Sequence, residues 1–346
     1  MKTVKTSALA APRQSNIELL RLVAMFMVLV VHTNFVPLGA PNLSSFIDRP
    51  LVAGGRVVLQ LACVMCVNVF VFISGWFGIR ATFRSFMGFV FQCLWFYLLM
   101  YILIISLGIS SFVFGILARS FWFGDSCWFE KSYALLFIVS PVLNVFMDSA
   151  SRRRWGFMLI AFFAFEFMYG LSASTKYLDY GYSPVSFIGI YLLAGYVRRY
   201  GTSIHNKGLL IYWVSLLLNC VLYFVLCFVG REGLTATYLN PLVISGTVGL
   251  FLWFNGMKTG YSQVINYIAR SNFGVYLIHT CPAIWVPVFL SVCSVVYVAY
   301  SGFAAVGMIL LFILFTFIVG IFFDLPRRYL WGLIEKRMPQ TNKLVS

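Results

Sequence analysis

Five ionisable side chains interrupt the apolar stretches of this 346-residue chain: Glu18, Arg21, His32, Glu166 and His279. Such groups are costly inside a bilayer and are kept there for a partner, a substrate or a proton. His32 is the sharpest of them. It follows Arg21 by eleven residues, and at about 100° per residue that separation closes to within roughly 20° of one helix face. Glu18, three residues before Arg21, is placed for an ion pair on the same stripe. One face of one helix thus offers a guanidinium near its start and an imidazole roughly 16 Å further along. An imidazole is a base or a nucleophile near neutrality, and a guanidinium fork grips phosphates and carboxylates. The same spacing also fits an interfacial arginine that snorkels and a histidine bonded to a neighbouring helix.

The remaining candidates each carry two readings. Glu166 sits in mid-stretch, where it can orient His32 or stay protonated against a hydroxyl. His279 lies just ahead of Pro282, whose ring breaks a helical hydrogen bond and frees a carbonyl; it orients a substrate or is a satisfied core histidine. Ser74 and Gly75 make a small surface that permits close helix approach, or they line a substrate path. Trp128 and Tyr133 fit an interfacial aromatic belt or a face on which sugars stack, and Glu130 and Lys131 between them read as a solvated rim pair. His205, in a loop beside Lys207, has no chemical role. Cys63-Val-Met-Cys66 lacks the second pair that a metal site needs. The eight cysteines therefore read as small core residues, and no metal is expected.

The elements that position these groups are set by composition. Hydrophobic residues make up 61% of the chain and charged ones 10%, whereas a soluble domain runs nearer half and a quarter. The chain is therefore an all-α integral membrane protein. Its formal charge of +15 does not imply a nucleic-acid partner, because the basic residues flank the apolar stretches singly or in short runs. A span takes roughly 20 apolar residues. Candidate spans are Ile17–Val36, Val57–Gly78, Phe86–Leu107, Trp128–Phe146, Gly156–Gly170, Val185–Tyr196, Leu209–Gly230, Leu239–Phe254, Asn272–Leu290 and Phe303–Phe323. The first is too long for a signal-peptide core and carries Glu18 and Arg21. Ser111–Phe123 reads as a short interfacial or re-entrant piece.

With the amino terminus in the cytoplasm, nineteen of the 25 basic residues fall inside and six outside. The expectation is about ten transmembrane helices in a single bundle with both termini cytoplasmic. One transmembrane domain over 17–323 is flanked by an amino-terminal tail, 1–16, and a basic amphipathic tail, 324–346, on the inner surface.

Four blocks resemble the membrane acyltransferase-3 family. Asn16-Ile-Glu-Leu-Leu-Arg21 leading to Val31-His32-Thr33-Asn34-Phe35 is similar to its opening helix, marked by an arginine, ten residues and a histidine. Phe72-Ile-Ser74-Gly75-Trp76-Phe77 resembles its second-helix signature. Trp128-Phe129 with Tyr133 and Ser140-Pro141-Val142-Leu143-Asn144 resembles a third block, and Phe273-Gly-Val-Tyr276-Leu-Ile-His279 a fourth. The blocks follow family order from the first span to the ninth. The family often shows two arginines three apart after the second helix, whereas Arg80 and Arg84 are four apart here.

The resemblance implies an O-acyltransferase, most simply an O-acetyltransferase, of the plasma (inner) membrane. Its donor is acetyl-CoA or another acyl-CoA, and its acceptor is a hydroxyl of a surface or exported polysaccharide. It assigns His32 to the transfer step, as general base or transient acyl carrier; Glu166 lies outside the matching blocks, and its pairing with His32 rests on the residue reading alone. Arg21, Arg80 and Arg84 are assigned to the donor phosphates, and Ser74, Gly75, Trp128, Tyr133, Tyr276 and His279 to the substrates. The runner-up is a transporter or flippase whose intramembrane charges line a polar route.

Overall fold

The computed structural model describes residues 13–109, 115, 127–172 and 178–338. The expected interfacial piece Ser111–Phe123 lies outside the described residues except for residue 115, as do the ends of both tails. Among the described residues the regular structure is entirely helical. The order is α1 (Ser15–Leu38), α2 (Leu43–Asp48), α3 (Pro50–Cys63), α4 (Cys66–Phe77), α5 (Phe83–Ser106), α6 (Trp128–Ser149) and α7 (Arg152–Ser172), then α8 (Pro184–Tyr200), α9 (Gly208–Cys227), α10 (Pro241–Asn255), α11 (Gln263–Ala269) and α12 (Asn272–Thr280). Two more follow, α13 (Pro282–Ala299) and α14 (Gly302–Arg337). Among the described residues, eight helical stretches are long and apolar enough to cross a membrane. The expected fifth and sixth spans fall on α7 and α8, which are helical but are not among those eight.

Helix α1 is the hub. It packs on α3, α4, α10, α11, α12, α13 and α14, so its Arg21–His32 stripe faces protein. Its start is pinned by polar bonds that also close other helix ends. Asn16 Nδ2 donates to the carbonyls of Phe254 (3.1 Å) and Asn255 (3.3 Å) at the end of α10. Ser15 Oγ accepts from the Ser262 amide at 2.8 Å. In lipid, terminal carbonyls left without donors are expensive.

Three boundaries differ from the sequence expectation. The second span begins at Pro50 rather than Val57 and is broken between Cys63 and Cys66. The ninth is broken at Cys281, whose extended backbone (φ −52°, ψ 129°) follows from the proline after it. It then resumes through a π-helical turn over Trp285–Leu290 and runs to Ala299. The tenth does not end near Phe323, and the segment after Pro326 is no separate surface helix. α14 continues to Arg337. Asp324 and Arg327, both buried, pair through that turn at 2.8 Å. Trp95 Nε1 donates to the Phe323 carbonyl at 3.1 Å, which ties α5 to α14 one turn before the proline.

Gly75 is a contact between backbones. A Cβ there would meet the Tyr191 Cα at 2.8 Å and the Ala194 Cβ at 2.9 Å, so α4 and α8 touch only because the residue is glycine.

Candidate active site

The start of α1 carries an unbalanced cluster of cations. Arg21 Nη1 donates to Glu18 Oε1 at 2.7 Å, and Arg13 Nη1 lies 3.5 Å from Oε2 of the same carboxylate. Glu18 is only 4% exposed. Asn272 Nδ2 donates to the Arg21 carbonyl at 2.7 Å, which fastens α12 to α1. A cavity of about 300 Å³ opens here. Arg13, Arg21, Arg270 and Asn272 lie on its polar side, and Ser74, Phe89, Phe129, Tyr133 and Phe273 are among the other lining residues. Burial lowers the Arg13 guanidinium from its ordinary value, Glu18 opposes that, and Arg21, Arg270 and Arg328 lower it further. Those four guanidinium groups thus share one field with a single carboxylate between them. Such a cradle suits an anion with several charges.

Further along α1, His32 lines a second cavity of about 580 Å³. Its Nδ1 is 3.0 Å from His279 Nε2. His279 Nδ1 is 2.7 Å from the Val275 carbonyl one turn back on α12. The helix break at Cys281 and the π-turn after it bring Trp285 edge-on to His32, with centroids 4.9 Å apart and planes at 73°. Phe289 lies 5.2 Å from His279. Widened turns of this kind recur at functional sites. Around the same cavity stand Trp128, Tyr180, Tyr182 and Tyr238. Trp128 stacks on Tyr238 (6.0 Å, 27°) and meets Tyr182 edge-on (4.6 Å, 66°).

The two cavities share a wall. Val28 of α1, Val67 of α4 and Tyr276 of α12 line both. Tyr276 is held in place by Phe273, stacked at 5.9 Å, and by Phe129 at 5.1 Å. The arginine cavity and the histidine cavity thus sit end to end along α1, separated by two valines and one phenol.

The other residues singled out in the sequence scatter. Ser74 and Tyr133 share a hydrogen bond of 3.2 Å and line the arginine cavity. Trp128 lines the histidine cavity, so the two aromatics of that block belong to different sites. Gly75 and Arg80 lie on another cleft with Arg198 and Arg199. Arg84 is turned to the end of α14, where it donates to the Met338 carbonyl at 3.1 Å and faces Glu335 at 3.8 Å. Neither Arg80 nor Arg84 is gathered with Arg21, because the chain turns at Gly78, with φ +74°, before both. Glu166 does not orient His32. It accepts a hydrogen bond from the Ser186 hydroxyl across the α7–α8 contact, and His279 is the group against His32. Glu130 is no solvated rim residue either: it is fully buried and accepts from the Tyr97 hydroxyl.

Arg13, Arg270, Trp285, Tyr182 and Tyr238 were not singled out for chemistry. Arg13 and Arg270 gave only the general signal of basic residues ahead of apolar stretches, and the three aromatics gave none.

A family model described as an acyltransferase domain matches residues 14–325. No curated protein and no solved structure matches the chain.

Proposed function

Because the chain belongs to the acyltransferase-3 family, we propose that it is an O-acyltransferase of the plasma (inner) membrane that carries an acyl group, in the simplest case acetyl, from cytoplasmic acyl-CoA to a hydroxyl of an extracytoplasmic glycan. The observation that carries this reading is the shared wall. An acyl-CoA has a polyanionic head and a long thin arm that ends in the thioester. Arg13, Arg21 and Arg270 suit the head, and the arm then points along α1 toward Val28, Val67 and Tyr276. Beyond them, His32 lies among aromatic rings whose faces suit a sugar.

The step balances as general base catalysis. The acceptor hydroxyl gives its proton to His32 as its oxygen attacks the thioester carbonyl carbon. The carbon–sulfur bond then breaks, and the departing thiolate takes that proton from His32. Products are the O-acyl ester and free CoA. No metal takes part in this scheme.

The orientation proposed is ten crossings with both termini cytoplasmic. α7 and α8 join the eight long apolar stretches, and α12 and α13 form one broken crossing. The nineteen-to-six split of basic residues supports an arginine cavity that opens to the cytoplasm.

Comparing surface and exported glycans from cells with and without the gene tests this reading. Loss of ester-linked acyl groups at unchanged glycan yield is expected. Unchanged acylation with glycan retained inside the cell would point to transport instead.

A further inference from the structure

We infer that His279 is the positioning residue for His32: it fixes which ring nitrogen carries the proton and leaves the other free to act. The inference rests on His32 being the base, as proposed above.

Hydrogen-bond polarity fixes the protons of the pair. A carbonyl oxygen can only accept, so the 2.7 Å contact with Val275 puts the proton of His279 on Nδ1. In a neutral imidazole the other nitrogen is then a lone pair. His279 Nε2 therefore faces His32 Nδ1, 3.0 Å away, as an acceptor. Two lone pairs do not approach to that distance, so His32 Nδ1 carries the proton and donates it. In the neutral pair, the Nε2 edge of His32 is the one with a free lone pair. When that nitrogen takes the acceptor's proton, the Nδ1–H bond to His279 becomes charge-assisted and strengthens. A carboxylate fills this place in many hydrolases. Here a neutral ring does so, in a setting where a second buried charge would be costly.

The frame around His279 fits this role. It is 1% exposed. Its carbonyl partner is itself fixed, because a Cβ on Gly320 of α14 would lie 2.7 Å from the Val275 Cα. Phe289 and Tyr276 flank the His279 ring at 5.2 Å and 5.8 Å. Its place in the last turn before the Cys281 break is what aims Nε2 at α1.

The test is steady-state kinetics of the purified full-length protein. Labelled acetyl-CoA is the donor, and polysaccharide from the host lacking the gene is the acceptor. Four variants are compared. His279→Gln reaches as far as Nε2 and offers His32 an oxygen acceptor. His279→Asn is too short for that but retains a donor for the Val275 carbonyl. His279→Leu removes both, and His32→Gln removes the base.

The expected result is a kcat for His279→Gln within about tenfold of wild type, and for His279→Asn and His279→Leu a loss of about 10²-fold or more. KM for acetyl-CoA should stay within about threefold throughout, since the arginine cavity is separate from the pair. If His279→Asn turns over at the wild-type rate, or His279→Gln is as slow as His279→Asn, the positioning role is overturned. If His32→Gln is slowed by about 10²–10⁴-fold in that same series, the base assignment stands without it. Wild-type turnover by His32→Gln overturns both. His279→Asn and His279→Gln remain comparable even if the leucine variant fails to fold.

Discussion

Replacing His32 by glutamine should lower acyl transfer by about 10²–10⁴-fold, the usual worth of a positioned general base, while acyl-CoA still binds. Glutamine keeps much of the size and hydrogen bonding of histidine and removes the basic nitrogen. The protein should survive the change, because the surroundings of His32 rest on other contacts. Tyr297 donates to the Thr33 carbonyl at 2.7 Å, and Asn34 donates to the Arg56 carbonyl at 2.9 Å. Transfer is read as labelled acyl on the acceptor, and donor binding is measured on the same preparation. A loss well beyond that range would mean that His32 carries the acyl group covalently, since no slower route would then remain. Turnover at the wild-type rate would remove His32 from the chemistry.

Arg21→Ala should weaken acyl-CoA binding by about 10–100-fold, the worth of one or two charge-assisted hydrogen bonds. Arg21→Lys should fall between the two, because it keeps the charge and loses the fork. Glu18 complicates a simple reading of these variants. It holds both Arg13 and Arg21, so Arg21→Ala leaves a buried carboxylate with one distant partner. Arg270→Ala separates the effects, since Arg270 lines the same cavity without forming an ion pair with Glu18. Equilibrium binding of acyl-CoA by the three variants, at two salt concentrations, measures this. Unchanged affinity in all three would make the cluster a membrane anchor and fold support.

What the sequence made legible follows the range of each interaction. The Arg21–His32 stripe and the Glu18–Arg21 pair lie within one helix, where spacing alone sets the face, and the structure has both. The His32–His279 contact joins residues 247 apart and depends on how α12 meets α1, which no local pattern encodes. Glu166 left two readings open, an orienter for His32 or a partner to a hydroxyl, and only the fold decides: its partner is a hydroxyl on the adjacent helix, twenty residues away. Arg80 and Arg84 fell to the same inner set as Arg21 by charge counting, which places a residue at a depth but not on a side of a helix. Breaks at Val64–Met65 and Cys281 were invisible to hydropathy because the chain stays apolar through them. The carboxy-terminal tail misled in the other direction: 324–346 read as a separate surface piece, and α14 runs on through Pro326 to Arg337.

In the proposed reaction, donor and acceptor meet from opposite ends of α1, through the wall made by Val28, Val67 and Tyr276. Reconstitution into vesicles of one orientation tests it most directly, with labelled acetyl-CoA supplied on one side and acceptor glycan on the other. Product is expected only when acetyl-CoA is on the side of Arg13, Arg21 and Arg270 and the glycan is on the side of the His32 cavity. Equal turnover with both substrates confined to the arginine side would contradict it.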